Sequence, residues 1–320
     1  MKKNLTMFMF YMIMIMGTLI TLSSNNWLIM WMGLEINMIS FIPILKSKKK
    51  KSSQSMMIYF LIQSMGSMIL LLSVLMMKNQ MMNYLTILAI IIKMGAAPFH
   101  MWMPEMMNML EWDKCLILST WQKIAPLILM TQMNSNLISI VSVISAIVGA
   151  IGGINQISIR KIMAFSSINH IGWMMSCMNF NKMIWMKYMF FYFFMNMMLM
   201  LMLKMKNMYQ INQLNFNQTF TEKMNLGLLM MSMGGMPPLM GFIPKWMMLS
   251  EMLNNKLFLM MFMMIMPSLI TLFFYMRIIT PMLILNSSSL KIMNNYKNKY
   301  LNIFMMSINT MTIFILIMIL

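Results

Sequence analysis

Acid is what this sequence has least of: Glu35, Glu105, Glu111, Asp113, Glu222 and Glu251 are its six carboxylates among 320 residues. All charged types together reach 9%, where a soluble chain carries about a quarter. The two cysteines, Cys115 and Cys177, lie far apart. That spacing excludes a zinc or iron–sulfur framework supplied by this chain alone and argues against a disulfide. Gly149, Gly152 and Gly153 lack the spacing of a dinucleotide fingerprint, and neither a phosphate-binding GxxxxGK nor a CxxC is present. His100 and His170 are the only histidines, so there is no further His pair suited to haem across helices. No nicotinamide, flavin, iron or other cofactor is therefore expected in this chain. Alanine (7) and valine (4) are also scarce.

Their apolar positions have gone to Met, Ile, Leu and Phe. With 60% hydrophobic residues and a mean hydropathy of +0.73, the chain reads as a multi-spanning membrane protein. A net charge of +18 raises the possibility of nucleic acid. The lysines, however, stand between apolar blocks rather than along one face, so no nucleic-acid partner is expected. Sixty methionines, with abundant Ile, Leu, Phe, Asn and Lys, are what AT-rich codons supply. Such an excess fits an animal mitochondrial genome, in which AUA is read as Met. Methionine is apolar and flexible enough to fill irregular gaps between helices, so the bias is tolerated. A chain made inside the organelle needs no cleavable signal, and Lys2 and Lys3 offer only a short basic lead.

A membrane span needs about 20 apolar residues. Blocks of that kind fall near 5–22, 27–45, 56–77, 84–103, 115–133, 137–155, 159–178, 183–203, 224–248, 257–279 and 300–320, which predicts an all-α polytopic protein of about eleven helices. We read them as one transmembrane domain, 1–320. Its stretches are 5–77 (three helices), 84–203 (a broken helix and central helices), 224–280 (a second broken helix and the one after it) and 300–320. The alternation of a β-barrel is absent. If all eleven span, sixteen basic residues fall on the N-terminal side. Only Lys78, Lys182, Lys187 and Lys256 fall on the other, and Lys93, Lys123, Lys245 and Arg277 lie within apolar segments. By the positive-inside rule the N-terminus faces the matrix. The run Lys48–Lys51 reads as a topology anchor beside anionic phospholipid, and Arg277 is near enough to a helix end to snorkel.

Glu35, Lys93, Lys123 and Lys245 are charged groups deep in apolar segments, where each costs about 2.5–3.5 kcal/mol. One acid cannot neutralise three lysines, so water, a neutral lysine or a neighbouring subunit must supply the rest. Each lysine alone could be a structural lock; together they read as a hydrated proton path, since burial disfavours a lysine's charged form and a nearby carboxylate favours it. Helix breakers reinforce this. Gly95 and Pro98 follow Lys93, while Gly234, Gly235, Pro237, Pro238, Gly241 and Pro244 precede Lys245. Broken helices mark ion sites in transporters. Pro126 is placed to loosen the Lys123 helix. Ser119, four residues before Lys123, and Thr131, eight after it, fall on its face, as Gln63 and Ser67 share another. Ser166, His170 and Trp173 form a further stripe. His170 is either an interhelical hydrogen-bonder or a relay member, and His100, after the Pro98 break, is open between the same two roles.

The segments WMGLEINMISFIPIL (31–45), KMGAAPFHMWMPE (93–105), TWQKIAP (120–126), GGINQISIRKIMAFSSINHIGWMM (152–175) and GGMPPLMGFIPKW (234–246) closely resemble the subunit 2 family of mitochondrial NADH:ubiquinone oxidoreductase, respiratory complex I, in its insect form. The resemblance runs in order over about residues 17–280. It implies an antiporter-like inverted-repeat fold with two broken helices, lacking the first three helices of a fourteen-helix family core. It also implies proton translocation across the mitochondrial inner membrane coupled to electron transfer from NADH to ubiquinone. By motif, Glu35, Lys93, Lys123 and Lys245 match the family's proton-transfer residues, with His170, His100, Ser119 and Ser166 as relay candidates. The implied partners are neighbouring antiporter-like and small hydrophobic membrane-arm subunits, one of which covers the flank left by the missing helices. NADH, FMN, iron–sulfur clusters and ubiquinone are expected on other subunits. The implied route enters from the matrix, is held at Lys93 and Lys123, passes to Lys245 and exits to the intermembrane space. A free-standing cation/proton antiporter and a structural spacer without its own path are the competing readings.

Overall fold

A bilayer offers backbone N–H and C=O groups no partner, so a chain this apolar must satisfy them within helices. The computed structural model describes residues 2–46, 51–76, 80–133, 135–178, 183–215, 220–284 and 307. Among them there is no β-strand, only an isolated antiparallel bridge between Ser158 and Gln210. Six helical stretches are long and apolar enough to cross a membrane: Leu5–Ser23, Trp27–Leu45, Ser52–Leu75, Asn136–Ile154, Ile184–Met205 and Phe258–Met282. The predicted segment 300–320 lies outside the described residues apart from Ser307, as do Lys48–Lys50, Lys78, Lys182, Lys291, Lys297 and Lys299.

The chain divides into two compact units at Ser145/Ala146. The first contains α1 (Lys2–Ser23), α2 (Trp27–Leu45), α3 (Lys51–Leu75), α4 (Gln80–Met94), α5 (Trp102–Met109), α6 (Trp112–Ser119) and α7 (Trp121–Thr131). Helix α8 (Asn136–Ile154) begins in this unit and ends in the next. Helices α1 and α2 pack backbone to backbone: a Cβ at Gly33 would lie 2.9 Å from the Gly17 carbonyl, and one at Gly17 would lie 3.0 Å from that of Gly33. Small residues permit this close approach, which supplies much of the contact between membrane helices. The Trp31 indole donates to the Ser67 carbonyl (3.1 Å), tying α2 to α3.

The second unit contains α9 (Ile159–Ser176), α10 (Ile184–Met205), α11 (Phe220–Gly234), α12 (Phe242–Asn254) and α13 (Phe258–Ile284). Almost every residue of α9 is buried, so its polar side chains cannot turn to solvent. Its serines bond to their own helix: Ser166 to Met163 O (2.9 Å), Ser167 to Ala164 O (2.7 Å) and Ser176 to Trp173 O (2.7 Å). Arg277 donates to the Gln156 carbonyl (3.0 Å), and the Arg160 guanidinium lies 4.6 Å from the centre of the Tyr209 ring. A salt bridge of 2.6 Å joins Lys206 to Glu222.

The region 115–133, predicted as one helix, is two: α6 stops at Ser119 and α7 starts at Trp121. Thr120 separates them with φ −119° and ψ −74°, and its hydroxyl donates to the Leu116 carbonyl (2.6 Å). The interruption precedes Pro126, which sits inside α7. Ser119 and Lys123 therefore do not share one continuous helical face, because four-residue spacing aligns side chains only along an unbroken helix.

Candidate functional site

Helix α4 ends directly after Lys93. Gly95 takes φ +69°, its N–H donates to Ile92 O (3.2 Å), and the Ala96 N–H reaches back to Ile91 O (3.2 Å). This is a Schellman ending, which needs a left-handed residue that glycine adopts without strain. The second unit repeats it at the end of α11. Gly235 has φ +79°, its N–H donates to Ser232 O (3.0 Å), and Met236 N–H donates to Met231 O (3.3 Å). In both places a proline-containing loop follows before the helix resumes, at Trp102 and at Phe242. Gly95 and Gly235 thus end two helices in the same manner, each beside one of the buried lysines.

In the first unit, Lys93 Nζ lies 3.6 Å from Glu35 Oε1; the lysine side chain is 2% exposed and the glutamate 20%. Gln63 on α3 donates from Nε2 to the Lys93 carbonyl (3.1 Å), one of those left over where α4 stops. Lys123, on α7, is 2% exposed. Lys93 and Lys123 line one small cavity with Tyr59, Gln63, Trp102 and Gln122, with room for about one water molecule. The Gln122 amide joins three helices around it. Its Nε2 donates to Asn37 Oδ1 (3.1 Å), and its Oε1 accepts from the Tyr59 hydroxyl (3.2 Å). Asn37 lies two residues beyond Glu35 on α2, so the helix carrying the acid is pinned to the helix carrying Lys123.

In the second unit, Lys245 is buried on the first turn of α12, and its Nζ donates to the Gly234 carbonyl (2.6 Å) at the end of α11. A helix C-terminus carries partial negative charge and favours a cation there. The same ammonium is 5.9 Å from the centre of the Trp173 ring, at the outer limit of a cation–π contact of about 6 Å. His170 Nδ1 and the Tyr188 hydroxyl are 2.8 Å apart, and the His170 and Tyr192 rings meet at 42° with centroids 4.8 Å apart.

Glu35, Lys93 and Lys123 come together, Lys245 has a separate seat in the second unit, and His170 is buried with a tyrosine partner. His100 folds back on its own loop, its Nδ1 3.1 Å from the Pro98 carbonyl. Ser119 and Ser166 bond within their own helices, Ser119 to Leu116 O at 3.0 Å. The residues missed are Asn37, Tyr59, Trp102, Gln122 and Tyr188. Gln122 could have been flagged from its place beside Lys123; the others carry no local signal. Lys114, one of the sixteen basic residues counted on the N-terminal side, is buried and donates to Leu45 O (3.1 Å) and Lys46 O (3.0 Å), closing the C-terminal end of α2.

Chemically, the first unit presents a carboxylate, two amines and a water-sized space, sufficient to hold and move a proton. Glu35→Gln keeps the shape and removes the countercharge of Lys93. We expect coupled turnover about tenfold lower, equivalent to ~1.4 kcal/mol, measured on membranes with equal amounts of assembled protein.

The pattern of the family described as NADH:quinone oxidoreductase/Mrp antiporter, TM matches residues 24–83 and 76–271. The NADH-ubiquinone oxidoreductase chain 2 of Anopheles gambiae is 40% identical over 316 residues, 93% of this chain and 92% of that protein. That of Aedes aegypti is 40% identical over 320 residues, 94% and 93% respectively. A chain in the structure of respiratory complex I from Thermus thermophilus with bound aureothin superposes with a TM-score of 0.83 at 15% identity, covering 96% of this chain and 78% of that one. The family pattern covers most of the chain and the two relatives nearly all of it, so the chain belongs to the NADH-ubiquinone oxidoreductase chain 2 family, within the NADH:quinone oxidoreductase/Mrp antiporter membrane family.

Proposed function

We propose that this chain is a proton-translocating, antiporter-like subunit of the membrane arm of mitochondrial complex I, with Lys93 and Lys123 as proton carriers of its first unit and Lys245 as the carrier of its second. The observation that carries the reading is the Glu35–Lys93 pair beside a cavity that Lys123 also lines. Glu35 stabilises the charged form of Lys93, and burial opposes it, so a small movement of α2 against α4 loads or releases a proton. The Gly234 carbonyl seats charged Lys245 in the same sense. His170, hydrogen-bonded to Tyr188, is a relay member of the second unit, while His100, Ser119 and Ser166 act through the backbone they bind.

In this reading the chain is one transmembrane domain of eleven spans in the inner membrane, with its N-terminus in the matrix. Helices α4 with α5 and α11 with α12 form the two broken spans, α6 with α7 forms one span, and 300–320 is the last. The chain binds no cofactor, takes its energy from electron transfer on other subunits, and packs against membrane-arm neighbours and phospholipid.

The test is Lys245→Met in the assembled complex. We expect ubiquinone-linked proton pumping to fall at least tenfold, since loss of a positioned acid or base costs about 10²–10⁴-fold in typical cases, while NADH oxidation by an artificial acceptor persists. A structural spacer predicts no change. Sodium-dependent transport by the chain purified alone would favour a free-standing antiporter.

A further inference from the structure

The cavity shared by Lys93 and Lys123 has an uneven supply of hydrogen-bond partners. The Gln63 Nε2 donates to the Lys93 carbonyl, Gln122 Nε2 to Asn37, and the Tyr59 hydroxyl to Gln122 Oε1. Trp102, which also lines the cavity, differs. It is 7% exposed, and its indole Nε1 has no acceptor among the described residues. An indole nitrogen can only donate, and a buried donor left unmatched costs about 1–3 kcal/mol. Its ring is fixed by the helix break. A Cβ at Gly95 would lie 3.0 Å from the indole, and the Tyr59 ring meets it at 63° with centroids 6.4 Å apart.

We propose that the Trp102 N–H anchors one water molecule in this cavity and thereby limits it to relaying a single proton between Lys93 and Lys123. The inference rests on the carrier role proposed for the two lysines. A water oxygen accepts two hydrogen bonds. With one place taken by Trp102, one remains for a lysine ammonium, and the water's own hydrogens serve the other lysine's neutral amine and Gln122 Oε1. Were both lysines charged, three donors would compete for two places, so the arrangement admits one proton at a time. In the transfer an N–H bond of the charged lysine breaks as its proton passes to the water oxygen, and a water O–H bond breaks as a new N–H bond forms on the neutral amine. The water is restored and no electron moves. Trp102 is a positioning residue: it orients the carrier and holds no proton in transit.

The experiment has two arms on the assembled complex. The first is a map of the unmodified complex that resolves waters. It is expected to show one water about 2.9 Å from Trp102 Nε1; a side chain or lipid atom accepting that bond, or no water there, overturns the proposal. The second compares Trp102→Phe, which keeps one aromatic ring and drops the indole N–H with the ring atoms against Gly95, with Trp102→His, which is smaller still but keeps a ring N–H, so that recovery in the smaller residue reports the N–H and not the lost packing. Coupled turnover is expected to fall about fivefold in Trp102→Phe, the scale of one lost hydrogen bond, and to recover in part in Trp102→His, with artificial-acceptor activity unchanged in both. Undiminished turnover in Trp102→Phe overturns the proposal. If Lys123→Met is impaired and Trp102→Phe is not, only the Trp102 inference falls. If neither is impaired, the carrier role falls with it. Should Trp102→Phe fail to assemble, the water map decides.

Discussion

Replacing Lys123 with Met is expected to lower NADH-to-ubiquinone turnover at least tenfold while the complex still assembles. The two effects separate because they have different physical origins. Methionine is unbranched and close to lysine in length, and this interior is already packed with methionines such as Met94, Met103 and Met130, so the substitution fills the space. The exchange also removes the desolvation cost of holding a charge in an apolar interior. The chemistry has no such replacement, because a thioether cannot take up a proton, and loss of a positioned acid or base costs about 10²–10⁴-fold in typical cases. Assembly is read from the amount of intact complex on a native gel, turnover from NADH oxidation with ubiquinone as acceptor. Full turnover at full assembly would remove Lys123 from the path.

The second large effect falls on folding. Gly241 lies where α12 begins, and a Cβ there would overlap the Ser232 carbonyl and lie 3.2 Å from Met195 Sδ. The Ser232 carbonyl accepts the Gly235 N–H that closes α11, so neither backbone can yield without opening the helix ending that seats Lys245. Gly241→Val is expected to cost about 3 kcal/mol or more, seen as loss of assembled complex or a lower melting temperature. Gly227, inside α11, is the control. A Cβ there meets only Ile279 Cγ2 at 3.5 Å, an ordinary contact, so Gly227→Ala is expected to be neutral or to stabilise by up to about 1 kcal/mol through helix propensity. Equal losses at both positions would contradict the steric account.

What the sequence discloses depends on how local the cause is. The interruptions after Lys93 and before Lys245 were readable because glycine and proline act on their own backbone. The one at Thr120 was not, since threonine is no breaker and Pro126 drew attention to the wrong turn. Burial of Glu35 and the lysines was legible because a charge stands out in an apolar segment, and Glu35 was the only acid among those four groups. The surroundings of the site were hidden. Gln122 finds Asn37 across 85 positions of chain and Tyr59 across 63, and no periodicity within one helix encodes such meetings. Lys114, counted by loop with the N-terminal side, also closes the end of the helix that carries Glu35, a contact that no local pattern encodes.

The measurement closest to the central claim is the ratio of protons pumped to electrons transferred by vesicle-reconstituted complex carrying Lys123→Met, compared with the unmodified complex at equal assembly. If buried lysines of this chain carry protons across the membrane, the electrons that still pass move fewer protons and the ratio falls. An undiminished ratio would show that protons cross without Lys123 and would contradict the account.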